Sequence, residues 1–240
     1  MKQRLGSIAL APTAAAWAGL EGVTRPGGIL LHGPAGPAIE SLAAALAGEL
    51  AVPFDQVDLG SWDGTVPGDG VGVVLLTGLD EFLAAGRSTT RRLAEALDSL
   101  RDRGDRTRPL VVTTSNAPWD IPVELFDGGR LDRLVFVPPP DWSARHGQIN
   151  DLGHAAGIDL SVRLDELTAA TAGWTGDDLA RLVRRIVEVG GTGTGLLDVV
   201  AEVGSTAAGW MEHARVMVNF WRDRGMVDDL VGYLRRIGAA

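Results

Sequence analysis

The chain has 240 residues, 45% of them hydrophobic and 22% charged, a globular balance that excludes wholesale disorder and a fibrous repeat and leaves room for one large or two small domains. Its 31 acidic and 22 basic residues give a formal charge of −9, which opposes electrostatic association with nucleic acid or an anionic membrane, so neither is expected as a partner. With no cysteine and only 4 histidines, thiol chemistry is excluded and no metal site is expected; Lys2 is the sole lysine, which excludes any mechanism needing a lysine farther along.

The start, MKQRLGSIALAPTAAAWAGL, lacks an apolar run long enough for a signal sequence or a membrane span, so a cytoplasmic location is expected. Short apolar runs bounded by Gly, Pro and Asp then alternate with segments of helical period, the pattern of a parallel α/β sheet. Strands are predicted over 28–32, 54–59, 71–77, 110–114 and 134–138. Two helices stand out between them, one with Leu42, Leu46 and Leu50 on a stripe and one with Leu93, Ala96, Leu97 and Leu100. A boundary is read at Pro138-Pro139-Pro140-Asp141, dividing an α/β domain over 1–140 from a helical region over 141–240. Beyond it, Leu179, Leu182, Val183 and Ile186 mark one helix, Trp210 to Trp221 another, and Val227 to Ile237 a last one. The glycine-rich stretch Gly190–Gly195 has neither a preceding strand nor a following lysine, and it reads as a helix connection. The alternating charges of 101–106 read as a solvated cluster.

The first strand runs into Gly33-Pro34-Ala35-Gly36-Pro37-Ala38-Ile39-Glu40 and then a helix, the context of a Walker A phosphate loop. Farther on come Val112-Thr113-Thr114-Ser115-Asn116-Ala117-Pro118-Trp119-Asp120-Ile121 and Gly129-Arg130-Leu131-Asp132-Arg133. These segments resemble sensor 1 and the second region of homology of the AAA family of P-loop ATPases. Ala172-Gly173-Trp174-Thr175-Gly176-Asp177-Asp178-Leu179 is similar to the lid turn of that family, with Gly176 at its glycine. The resemblance covers roughly 27–182. It implies a five-stranded parallel P-loop NTPase-type sheet followed by a smaller α-helical lid, with subunits meeting in a ring. It further implies Asn116 at the position that orients the attacking water, and Arg130 and Arg133 at the two arginines that reach a neighbour's nucleotide. The other reading of those arginines is ion pairing with Asp127 and Asp132.

The chain departs from the family where the chemistry resides. A working loop needs a lysine on the β/γ oxygens and a hydroxyl on Mg²⁺, whereas its last three positions read Ala38, Ile39 and Glu40. Losing a charge-assisted contact costs about 1.5–3 kcal/mol in binding, and Glu40 adds negative charge beside a helix N-terminus that it can itself occupy. A register shifted by one places Ser41 on the metal without supplying the lysine. After the third strand, Thr77 and Gly78 stand where the family carries two carboxylates. Asp80 and Glu81 are then either that pair displaced by three residues, too far for metal geometry, or an acidic pair favoured at a helix start. The link from Gly60 to Gly70 is short for a parallel crossover and lacks the family's pore loop. Its Trp62 either caps a sheet face or joins an exposed apolar patch.

These departures give three readings. The first is a catalytically impaired AAA-type subunit, a pseudo-ATPase, that serves as a regulatory or assembly component and gives Arg130 and Arg133 in trans to an active AAA relative or within a self-associated ring. For it, no cofactor is expected to bind tightly. The second is a weak ATP-binding switch using ATP or ADP with Mg²⁺ through Asn116, loop amides and the displaced Asp80-Glu81. The third is a monomeric scaffold or adaptor.

Overall fold

A computed structural model of the chain describes residues 26–34, 39–67, 72–103, 108–190 and 195–222, with side chains described as far as 215. The loop positions Ala35, Gly36, Pro37 and Ala38, the link at 191–194, residues 104–106 of the charge cluster, the N-terminal stretch and the helix expected from Val227 to Ile237 lie outside the described residues.

Five strands, β1 (Gly28–His32), β2 (Phe54–Asp58), β3 (Val73–Thr77), β4 (Leu110–Ser115) and β5 (Arg133–Phe136), form one sheet in the order β2-β3-β4-β1-β5. Every pairing is parallel. All strands therefore end at the same sheet edge, and the loops after β1, β3 and β4 gather there, where ligands of open α/β sheets bind. β1, GILLH, is buried throughout and sits between β4 and β5. β2 departs from the expectation of strands buried on both faces: as an edge strand with the sequence FDQVD, it is largely exposed. Its expected end at residue 59 also moves back by one, because the Asp58 side chain accepts the Gly60 N–H at 3.0 Å and turns the chain into a short 3₁₀ segment.

Helices α1 (Glu40–Leu50), α2 (Leu79–Ala84) and α3 (Arg87–Asp102) belong to the sheet half. One sheet face packs Ile29, Leu31, Leu75 and Val112 against Ala43, Leu46 and Leu50 of α1. The opposite face packs Leu30, Val74, Leu76 and Val111 against α2 and α3. Trp62 caps this second face at 7% exposure. Its indole N–H donates to the Thr65 carbonyl at 2.5 Å, its ring meets Phe82 edge-on, and the Arg92 guanidinium lies 5.0 Å above it. Leu59 and Val66 of the same β2-to-β3 connection are buried in this cluster beside it.

The Pro run falls between β5 and α4 (Trp142–Ala155), and α5 (Leu164–Ala170), α6 (Gly176–Glu188) and α7 (Leu196–Val203) follow. These four helices enclose a separate apolar cluster containing Ile149, Leu167, Trp174, Leu196 and the α6 stripe of Leu179, Leu182, Val183 and Ile186. The last described helix, α8 (Ala207–Arg222), returns to the sheet, where Ala214 is buried against the β1/β3/β4 face and Trp210 and Met211 flank it.

Candidate functional site

At the carboxyl edge of the sheet lies a cavity of about 260 Å³. Three segments line it: Ile39 and Glu40 at the start of α1, residues 78–81 between β3 and α2, and residues 114–116 at the end of β4. The fold thus brings Ile39, Glu40, Gly78, Asp80, Glu81 and Asn116 together, although they come from three distant stretches of sequence. Thr77, Arg130, Arg133 and Gly176 are not among its lining residues.

Ile39 has a helical backbone, φ −68° and ψ −38°, and makes no side-chain cap. Its exposure is 1%. The butyl group packs in the apolar cluster of Leu31, Ala43, Leu75 and Val112, so burial rather than a polar contact holds it. Glu40 follows in the first turn of α1 and is half-buried at the cavity wall. Gly33 and Pro34, which open the loop, directly follow β1; Gly33 sits at φ 155°, and a Cβ there would come within 2.2 Å of the Val137 carbonyl oxygen. Glycine is needed at that position because the β1 and β5 exits pass so closely.

The acidic positions follow directly from the end of β3. Thr77 is buried, and its hydroxyl lies 3.5 Å from the Val57 carbonyl oxygen. Gly78 takes the left-handed conformation, φ 72°, which sharply turns the chain from β3 into α2. Asp80 and Glu81 then occupy the first turn of α2, a position favoured by the helix dipole. Asp80 uses both oxygens: Oδ1 accepts the Ser115 hydroxyl at 2.5 Å and Oδ2 accepts the Asn116 backbone N–H at 2.8 Å. Ser115 Oγ in turn accepts the Ala117 N–H at 3.0 Å. The carboxylate therefore braces the loop after β4, while Asn116 stays exposed.

Arg130 and Arg133 differ sharply. Arg130 grips Asp98 of α3 with Nε at 3.0 Å and Nη2 at 2.6 Å, and its Nη1 donates to the Glu124 carbonyl at 2.8 Å. This pairing draws the Asp98 carboxyl below its usual range, the Arg130 hydrogen bond being the main cause and burial opposing it. The carboxylate is Asp98 rather than the expected Asp127, which contributes only its backbone carbonyl, because α3 brings Asp98 alongside the turn. Arg133 is exposed, and among the described residues its side chain donates only to the backbone oxygen of Asp132, at 3.3 Å.

In the lid, Thr175 caps α6 in a reciprocal box with Asp178, and Gly176 is the first residue of the helix. Asp178 is fully buried. Burial pushes its carboxyl up, but hydrogen bonds from the Thr206 hydroxyl, the Thr175 N–H and Arg181 more than offset this and hold it at about 2. The spacing Thr-x-x-Asp was the available sequence signal for this cap; nothing in the sequence pairs Asp178 with Thr206 or Ser115 with Asp80.

His32, at the end of β1, is 2% exposed and lies 5.7 Å from the Phe136 ring. Its Nδ1 has no hydrogen-bond partner among the described residues, and burial lowers its pKa to about 4, so the ring is neutral at neutral pH.

The cavity is lined by the carboxylates of Glu40, Asp80 and Glu81, with no basic side chain among the described lining residues. No group of residues suited to hold a metal ion occurs among the described residues. Likewise, among the described residues no helix is long and apolar enough to cross a membrane.

No protein-family profile matches the chain. Over 187 residues it is 32% identical to the ATP-dependent zinc metalloprotease FtsH 3 of Synechocystis sp., an alignment covering 68% of this chain and 30% of that protein. It is 33% identical over 187 residues to the ATP-dependent zinc metalloprotease FtsH 4 of Sphaerobacter thermophilus, covering 68% of this chain and 28% of that protein. The match thus spans less than a third of the length of these relatives. In shape the chain is similar to the crystal structure of the FIGL-1 AAA domain in complex with ADP, with a TM-score of 0.67 over 91% of this chain and 87% of that one, at 16% identity.

Proposed function

Starting from an AAA-type P-loop domain, homologous in sequence to FtsH proteins and sharing the fold of the FIGL-1 AAA domain, we propose that this chain is a catalytically impaired subunit of an AAA-type ring. It serves as a regulatory or assembly component and lends Arg133 to the nucleotide of an active neighbour. The observation that carries this reading is Ile39, an apolar side chain 1% exposed at the position where a phosphate loop needs its ammonium. The rest of the donor set argues the same way. Magnesium nucleotide requires cations on the phosphates and carboxylates placed on the metal, and the residues here do not fit it. Thr77 and Gly78 offer no carboxylate, Asp80 is occupied by Ser115 and Asn116, and Glu40 places a negative charge where phosphate oxygens would lie. Arg133 is favoured over Arg130 as the donated group because Arg130 is tied to Asp98 and to two backbone carbonyls.

The retained cavity of about 260 Å³ favours one other reading, a weak nucleotide switch, and one experiment separates the two. Titration with fluorescent ADP or ATP in the presence of Mg²⁺ should give no saturation below the millimolar range; micromolar affinity establishes the switch instead. Sedimentation of the chain alone and with an active AAA relative should show a mixed assembly. A chain that stays monomeric in both cases is an adaptor and not a ring subunit.

A further inference from the structure

Helix α8 has two specific attachments, one at each of the functional regions. At its N-terminal end, the buried Asp178 carboxylate gathers the Thr206 hydroxyl at 2.7 Å, the Ser205 hydroxyl at 3.1 Å and the Thr206 N–H at 3.2 Å, together with the Thr175 N–H at 3.1 Å and the Arg181 guanidinium. One turn on, the Trp210 indole N–H donates to the Asn116 carbonyl at 2.6 Å. Its ring stacks on Phe136 with centroids 5.7 Å apart and an interplanar angle of 17°. Trp119 bridges Trp210 and His213, at 5.5 Å and 4.4 Å.

Ala207, Trp210, Met211 and Ala214 fall at i, i+3, i+4 and i+7, so they share one face of α8; Ala207 and Ala214 are 2% and 1% exposed. The attachments are separated only by continuous helix, which rises about 1.5 Å per residue and places Thr206 and Trp210 roughly 6 Å apart along the axis. Gly209 is the one glycine between them and lies within the helix. A displacement of either attachment is therefore carried along the helix to the other.

We propose that α8 is a latch that makes the Asp178 knot of the lid and the Asn116 loop one two-state element. In the closed state both attachments are made; in the released state both are lost, the Phe136 face that Trp210 covers is exposed and the loop after β4 keeps its Asp80 brace. Whatever favours release at one end then favours it equally at the other, because coupling between two sites is reciprocal. The latch rests on these contacts alone and holds whether or not the chain binds nucleotide.

The test is amide hydrogen exchange, resolved by NMR, on the full chain and two conservative variants. Thr206→Val removes one hydroxyl from the knot, and Trp210→Phe keeps a ring on Phe136 but removes the indole N–H. Thr206→Val is expected to speed exchange of the Trp210 indole N–H, read in the same spectra, because its bond to the Asn116 carbonyl is lost on release, and Trp210→Phe to speed exchange of the Thr206 amide, whose bond to Asp178 is lost with it, each on the order of fivefold or more, the lower end of ordinary coupling. Unchanged protection in the middle of β1 and β4 distinguishes release from global unfolding. Ser205→Ala is a milder lid variant, read in the same way if either substitution lowers protection throughout. Acceleration confined to the mutated end in both directions overturns the latch.

Discussion

Asp80 Oδ2 accepts the backbone N–H of Asn116 at 2.8 Å while Oδ1 takes the Ser115 hydroxyl at 2.5 Å, so one carboxylate from the first turn of α2 sets where the chain goes after β4. Hydrogen bonds to charged groups contribute about 1.5–3 kcal/mol. Asp80→Ala is expected to lower unfolding stability by about 2 kcal/mol, and Asp80→Asn by less, since the amide keeps one acceptor. Urea denaturation checks the order; equal stability of wild type and Asp80→Ala would mean that the brace is redundant.

The second prediction concerns the missing ammonium. Ile39 is packed among Leu31, Ala43, Leu75 and Val112, and truncating such a residue costs about 2–5 kcal/mol. Ile39→Ala is therefore expected to lower the melting temperature by roughly 2–4 °C per kcal/mol for a chain of this size. Ile39→Lys should be at least as destabilising as Ile39→Ala, because its ammonium must leave the apolar cluster. Placing a lysine there without carboxylates at Thr77 and Gly78 is expected to leave ATP hydrolysis at background. Turnover restored by Ile39→Lys alone would show that the remaining residues are a working site.

Much of this was legible in the sequence, for identifiable reasons. β1 occupies the predicted 28–32 without change, because its central Ile29, Leu30 and Leu31 are apolar and buried on both faces, and the α6 stripe declares itself by spacing alone. The limits fall where contacts join distant stretches. Arg130 meets Asp98 across 32 residues and Trp210 meets Asn116 across 94, and no local periodicity records which partner a long side chain will find. The same holds for the site. Its residue types were readable one motif at a time, whereas the hydrogen bonding of Asp80 to the β4 loop depends on how α2 is seated over the sheet edge. Trp62 is the intermediate case, since a glycine-rich link with one large aromatic offered a cap or a patch, and only packing against Phe82 and Arg92 decides between them.

Acid stability should fall in two steps. The pKa of His32 is lowered by burial from 6.5 to about 4, so between those values the unfolded chain binds a proton that the folded chain refuses. Stability from this group is complete above about 6.5, falls as the pH drops and levels off below about 4. At 1.36 kcal/mol per pKa unit the loss is about 3 kcal/mol. Asp178, held at about 2 against 3.8, contributes above 3.8 and loses its contribution as the pH falls through about 2. His32→Leu is expected to abolish the first step and leave the second. A stability profile that is flat from pH 7 to 4.5 in the wild type would contradict the neutral, buried ring.

Arg130, in the turn before β5, and Arg133, the first residue of β5, should separate stability from assembly function. Arg130 holds Asp98 through two nitrogens, at 20% side-chain exposure, and bonds the Glu124 carbonyl. Its replacement by alanine strands a partly buried carboxylate and is expected to cost about 1–2 kcal/mol, the lower part of the range for charged hydrogen bonds because both partners remain partly wet. The Arg133 side chain is exposed and its one side-chain hydrogen bond among the described residues is to a neighbouring backbone oxygen at 3.3 Å, so Arg133→Ala should change stability by less than about 0.5 kcal/mol, as surface substitutions do. If Arg133 completes a neighbour's site, that silent substitution should still reduce the ATPase rate of an active AAA relative in a mixed assembly. An added arginine at such a site is worth about 10³–10⁵ in rate where it has been dissected, so a deficit of even tenfold is a conservative threshold. Arg133→Lys should restore only part of the rate, because an ammonium keeps the charge without the planar fork that grips phosphate oxygens. An assembled mixture whose rate is unmoved by Arg133→Ala removes the donated-arginine reading and leaves assembly as the function of the chain.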